Sequence, residues 1–256
     1  MRRHMLPFVL PVVLVAAWAL ASAAGKLNPY LMPPPWEVWD AGVDLARRGL
    51  LTKHIQASLI RVFVGFSVTA VCACVLALIV HLSPLLHDTL RHVLTVLRVV
   101  PPLAAIPLLI LWFGIDEASK LAVIMLASFF PVYMNVLTAL RQTDRRFVEM
   151  GQTLGLTTGE KIAHIFVPGA LPGVITGLRL GFGYSWRALI GAELIAASAG
   201  LGYMITEAGE MARTDRVLVG ILIIAVLGAA FDALFTALAR RWTAWQALTV
   251  DDHGRV

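Results

Sequence analysis

Six stretches of this chain are apolar enough to enter a bilayer, and that constrains the fold before any motif is read. A helix that crosses the hydrocarbon needs about 20 residues. The runs cover residues 6–24, 59–80, 93–113, 121–140, 174–197 and 217–239. In lipid, backbone polar groups must be satisfied within the segment, so such runs read as helices. The predicted fold is an all-α membrane protein with six transmembrane helices, one domain over residues 1–256. Composition agrees: 14% of residues are charged, against about a quarter in soluble domains. The net charge of +5 then reads as loop cations that set orientation. No basic run interleaved with aromatics points to nucleic acid.

The first run follows a basic tip and ends in Ala-x-Ala at Ala23, as a secretory signal does. Its length and the spans after it favour an uncleaved first span. Pro33-Pro34-Pro35 then makes a rigid extended break. Trp36, Trp39, Val43, Ala46 and Leu50 recur at helical spacing. This stripe suits either a helix lying on the outer surface or packing against the chain's own spans. Arg61 is read as snorkelling from the near end of the second span. Cys72 and Cys74, two apart on a helix, point to different sides and do not make a disulfide or a metal clamp.

The third run holds Arg98, Pro101, Pro102 and Pro107. Prolines remove donors and break helices, which lipid tolerates only where protein or a cavity satisfies the freed groups. The span either lines a pathway or is simply kinked for packing. In the fourth, Pro131 and Asn135 interrupt the apolar pattern. The fifth carries Gly169, Gly173, Gly177, Gly181 and Ser185 every four residues, a stripe that lets another helix approach, within the chain or between chains. It also carries Arg187 near mid-span. An ionisable residue there is a site for solute or half of a salt bridge, for instance with Asp232.

The interval at residues 141–173 is polar. Gly155 can end one short helix, the Thr157–Glu160 capping box can start another, and Pro168 limits the second. A compact knob of two short helices is expected. With the termini inside, Arg141, Arg145, Arg146, Lys161, Arg240, Arg241 and Arg255 fall on the cytoplasmic side, a modest bias in the direction of the positive-inside rule. The knob then faces the cytoplasm.

No G-x-x-x-x-G-K-[ST] phosphate loop, H-E-x-x-H, clustered Cys/His set or nucleophile elbow occurs. The chain is expected to be no enzyme and to hold no metal. A transporter, a channel or a membrane scaffold remains.

The knob reads Glu149, Gly155, Ile165 and Pro168 in the spacing of E-A-A-x3-G-x9-I-x-L-P. It resembles the EAA loop of permease subunits of binding-protein-dependent ABC importers. Met150 and Gly151 replace the two alanines, and Val167 replaces the leucine. SLIRVFVGF (58–66), LRVVPPLAAIPLLILWFGIDEASK (97–120), FFPVYMN (129–135), PGALPGVITGLRLGF (168–182), GLGYMI (200–205) and TDRVLVGI (214–221) resemble the sulfonate, taurine and nitrate branch. The resemblance covers residues 33–242.

It implies a homodimer of six-span permeases in the bacterial inner membrane, multi-pass, with cytoplasmic termini. An ABC ATPase dimer would bind ATP and Mg beneath it, and an external binding protein would deliver the solute. No cofactor is expected in this chain. The EAA-type coupling loop would dock through residues 156–164, including Leu156, Thr157, Thr158, Gly159, Glu160 and Lys161, with Glu149 and Gly155 holding its shape. The solute expected is a small anion, an aliphatic sulfonate or taurine. Nitrate or a small heterocyclic vitamin precursor is the alternative within the family, and an ion-coupled transporter or channel the alternative outside it. Arg187, Pro101, Pro102 and Asn135 are the pathway candidates, since transporter sites sit near the midplane and a guanidinium matches an oxyanion.

Overall fold

The computed structural model describes residues 2–242, with side chains from residue 9. Arg255, His253 and the rest of the tail beyond Trp242 lie outside the described residues. All regular structure among the described residues is helical. Four helices are long and apolar enough to cross a membrane, at Leu50–Leu82, Glu117–Arg141, Thr158–Ala196 and Thr214–Trp242. A shorter apolar stretch, Val9–Ala23, lies in the first helix.

The chain forms two compact units whose boundaries fall inside long helices. The first gathers the chain up to Leu59 with Glu193–Leu227. Helix α1 (Arg2–Ala23) is followed by α2 (Pro35–Arg47), which Pro35 opens at the position where a missing N–H costs nothing. Helix α2 buries Val38, Ala41 and Leu45, whereas Trp36 and Trp39 are 50% and 74% exposed. The tryptophan stripe is therefore the outward face, and packing on the protein uses the opposite one. Gly49 turns the chain at φ 71 into α3 (Leu50–Leu82). The second stretch of this unit carries α10 (Leu201–Glu210) and the start of α11 (Thr214–Trp242).

The second unit holds Ile60–Ala192 and the segment from Gly228 on. The third apolar run is not one bent span. Helix α4 (Pro84–Val99) begins earlier than expected, capped by Ser83, and buries none of its residues. The backbone breaks at Pro101-Pro102 and resumes as α5 (Ile106–Phe113). Helix α6 (Glu117–Arg141) is followed by α7 (Arg145–Thr153), α8 (Thr158–Lys161), a π turn at Ile162–Phe166 and α9 (Val167–Ala196). A small apolar core joins Ile106 and Leu109 of α5, Val123 and Ala127 of α6, and Ala188 and Ala192 of α9.

The small-residue stripe of α9 packs inside the chain. A Cβ at Gly169 would meet Thr143, one at Gly173 would meet Ala139, one at Gly177 Asn135 and Val132, and one at Gly181 Val132 and Ser128. As α9 advances by four, its partner on α6 retreats by about four. That is the register of two antiparallel helices in backbone-close contact. Ser185, fully buried with its hydroxyl unpartnered, ends the stripe.

Candidate functional site: an exposed elbow and a string of cavities

The polar interval folds from its own local signals. Asp144 caps α7 by accepting from the Arg146 N–H at 2.9 Å. At the other end, Leu156 N–H donates to Gly151 O (2.9 Å) and Gly155 N–H to Gln152 O (3.0 Å). That is a complete Schellman stop, with Gly155 in the left-handed region at φ 71. Two residues on, the capping box is present in full. Thr157 N–H donates to Glu160 Oε2 (2.8 Å), and Glu160 N–H returns to Thr157 Oγ1 (3.3 Å). Stop and start are thus both hydrogen-bonded, which makes the elbow rigid.

Pro168 does not end the second helix. The π turn at Ile162–Phe166 directly precedes it, with Val167 N–H bonded to Ile162 O, and the helix runs on through Pro168 and Pro172 to Ala196. The wide turn takes up the irregularity that a proline forces on the preceding carbonyls. The knob is therefore one short helix and an elbow leading straight into α9.

Ile165, buried, faces Gly151: a Cβ added there would lie 2.7 Å from Ile165 Cδ1 and 3.3 Å from Leu156 Cδ1. The departure from alanine at this position follows from the close seat of Ile165. Glu149 does not hold the elbow's shape through its side chain. It is exposed and pairs with exposed Arg145 at 3.0 Å, a contact of less than about 1 kcal/mol. Thr158, Gly159 and Glu160 are exposed and Lys161 is half-buried. Sequence reasoning missed Phe147, Met150 and Leu154, which are 55%, 53% and 69% exposed. At spacings of three and four they form an apolar stripe along α7 on the exposed side of the elbow. The spacing alone was the available signal.

Three cavities lie along α9, one on its α11 side and two on its α6 side. One of about 460 Å³ is lined by Arg187, Arg179, Tyr184, Thr176 and Asp232 among others. A second of about 440 Å³ is lined by Arg98, Pro102, Asn135, Phe130 and Met134, and it shares Leu180 and Tyr184 with the first. A third of about 240 Å³ continues from Asn135 and Met134 to Thr138 and Gln142, and shares Thr176 with the first. Gln142 directly follows α6 and lies two residues before the cap of α7. The structure therefore brings Pro102 and Asn135 to one cavity and Arg187 to its neighbour. Pro101 lines none of the three.

Among the described residues the salt-bridge alternative for Arg187 is not realised. Asp232 is held by Arg179 through two hydrogen bonds of 2.7 Å. Arg187 instead lies 5.8 Å from the centroid of Tyr184. Helix α3 starts at Leu50, well before residue 59, so Arg61 is interior, with a side chain 8% exposed, clamped to Glu117 at 2.6 and 2.7 Å.

Glu193 forms another buried polar knot, in the first unit. It is 1% exposed, and Ser58 Oγ lies 2.8 and 2.9 Å from its two oxygens. Gly202 N–H donates to its Oε2 (3.1 Å), Leu201 N–H to Ser58 (2.9 Å) and Gly200 N–H to His54 (3.1 Å). The free N–H groups at the start of α10 are thereby satisfied, with a carboxylate at the positive end of the helix. Neither Cys72 nor Cys74 is in a disulfide, and no group of metal-ligating side chains occurs among the described residues.

Comparison with known proteins adds what geometry cannot. The chain is 40% identical to the putative aliphatic sulfonates transport permease protein SsuC of Escherichia coli (strain K12), over 93% of this chain and 91% of that one. It is 36% identical to the taurine transport system permease protein TauC of the same organism, over 91% and 86%. Among solved structures, an inward-facing MetNI methionine ABC transporter matches in fold with a TM-score of 0.69 at 14% identity, covering 77% of this chain and 98% of that one. A family model described as binding-protein-dependent transport system inner membrane component matches residues 62–244. The chain is a multi-pass membrane protein of that family, the permeases of binding-protein-dependent ABC importers.

Proposed function

We propose that this permease moves a small organic anion, an aliphatic sulfonate or taurine, into the bacterial cytoplasm with energy from a separate ATPase. Two relatives of 36–40% identity over nearly the whole chain bear those solutes in their names. The cavities beside α9 carry guanidinium groups suited to an oxyanion, Arg179 and Arg187 of α9 and Arg98 of α4. The active unit is a homodimer with six crossings per chain, α1 first and the broken α4–α5 pair third. Both termini are cytoplasmic, and an external solute-binding protein supplies the anion.

The observation that carries the coupling is the elbow between α6 and α9. It is hydrogen-bonded at both ends of its bend, exposes an apolar stripe, and continues covalently into a helix that lines the cavities. Such an element passes a rotation on as a rigid body. The elbow faces the cytoplasm and seats in the ATPase, which binds ATP and Mg; this chain hydrolyses nothing.

Co-purification with the cognate ATPase tests this. Phe147→Asp with Leu154→Asp, or Gly155→Leu, is expected to lower ATPase recovery about tenfold or more, the loss of two buried apolar contacts. Undiminished recovery in both variants would contradict the assignment of the elbow.

A further inference from the structure

Resting on the importer reading, we infer that Arg98 is the headgroup contact of a binding site within this chain, in the cavity where α4 breaks from α5, for an organic oxyanion with a short apolar tail. Arg98 lies in the last turn of α4, immediately before the break at Pro101-Pro102. It makes no ion pair or side-chain hydrogen bond among the described residues. The contrast with its neighbours is sharp. Arg61 is clamped by Glu117 and Arg179 by Asp232. Arg98 is exposed on a helix that buries none of its residues, and its guanidinium, held by no carboxylate among the described residues, is free to pair with an oxyanion in the cavity it lines. A cation in a helix's last turn also complements the helix dipole, but that smaller effect needs no cavity.

The walls define the ligand. The cavity of about 440 Å³ sets Arg98 and the Asn135 amide among Leu126, Phe130, Met134 and Leu180. Its size is that of a small-molecule site, with an apolar lining and few polar groups. Asn135 Nδ2 donates to Pro131 O at 2.8 Å, which fixes the amide and leaves its second N–H for an acceptor. Two donors beside an apolar wall match an oxyanion with a hydrocarbon tail. A dication or a sugar would leave the wall or the guanidinium without a partner. Tyr184, shared with the neighbouring cavity, carries the second open guanidinium, Arg187, over its ring. The carboxylate on that wall, Asp232, is neutralised by Arg179. Neither cavity therefore presents an uncompensated negative charge to an anion among the described residues.

The same chemistry is offered by an anionic phospholipid, and the experiment separates the two. The permease–ATPase complex is placed in phosphatidylcholine nanodiscs, with or without phosphatidylglycerol, and binding of hexanesulfonate, ethanesulfonate and hexylammonium is measured by calorimetry. Assembly of each variant is checked by size exclusion. Hexanesulfonate is expected to bind in pure phosphatidylcholine, about tenfold or more weaker in Arg98→Gln, with partial recovery in Arg98→Lys and no binding of hexylammonium. Phe130→Ala should lower the preference for hexanesulfonate over ethanesulfonate. Wild-type affinity in Arg98→Gln, in a complex that still imports an anion, would overturn the inference and leave the importer reading standing. Dependence on Arg98 that appears only with phosphatidylglycerol would overturn it in favour of a lipid. A wild-type complex that neither binds nor imports any of these anions would remove the reading beneath it.

Discussion

Glu193 is a carboxylate at 1% exposure, held by Ser58 and by the Gly202 N–H of α10. Gly200, at φ 128, has its α-carbon so near this carboxyl group that a Cβ would collide with it. Glu193→Ala would strand the Gly202 N–H and the Ser58 hydroxyl, each an unsatisfied buried group costing about 1–3 kcal/mol. A loss of about 2–4 kcal/mol is expected in thermal unfolding of the reconstituted protein. Glu193→Gln, which keeps an acceptor, should lose less. An unchanged midpoint in Glu193→Ala would contradict the knot. Little of this was legible in the sequence. Glu193 was visible as an ionisable residue in the fifth run, but Ser58 lies 135 positions away, and no local spacing links the two. The partner of Arg61 was not legible for the same reason, because Glu117 meets it from 56 positions on. Gly155 and the Thr157–Glu160 pair, by contrast, were read correctly, since caps and turns are chemistry between near neighbours.

Helix α9 joins three functions along its length. Its start is the capping box of the elbow, its middle is the small-residue seam on α6, and one side lines the cavities. Glycine at every fourth position announced a close-packed face. It did not name the partner, because small residues suit contact within a chain and between chains alike. The run through Pro168 was not legible either: a proline usually limits a helix, and only the π turn before it shows how this one continues. The seam should be intolerant of bulk. At Gly177 a Cβ would already lie 2.8 Å from Asn135 Cβ, so Gly177→Leu forces the helices apart. A destabilisation of about 1–3 kcal/mol is expected from such overpacking, together with loss of transport as the Asn135 wall shifts. Measured unfolding and uptake equal to wild type would show that the seam gives way more easily than its geometry implies.

At the scale of the whole molecule, six apolar runs with a polar interval before the fifth were enough to fix an all-helical membrane protein, and motif order was enough to place it in its family. Of the four pathway candidates, three line cavities. Arg187, Pro102 and Asn135 line the string of cavities, and Pro101 does not. Arg98 was seen only as part of a broken span, because its open guanidinium depends on which carboxylates reach it in three dimensions. The elbow continues into the helix that lines the cavities, which is the arrangement an ATP-driven permease needs. Uptake tests that claim most directly. The permease, reconstituted in proteoliposomes with its ATPase inside and its cognate binding protein outside, is offered ethanesulfonate, taurine and nitrate with and without internal ATP. Accumulation of a sulfonate or taurine that requires ATP, and that falls about tenfold or more in Phe147→Asp with Leu154→Asp, is the expected result. Sulfonate or taurine entry that proceeds equally without ATP and without the ATPase would contradict it.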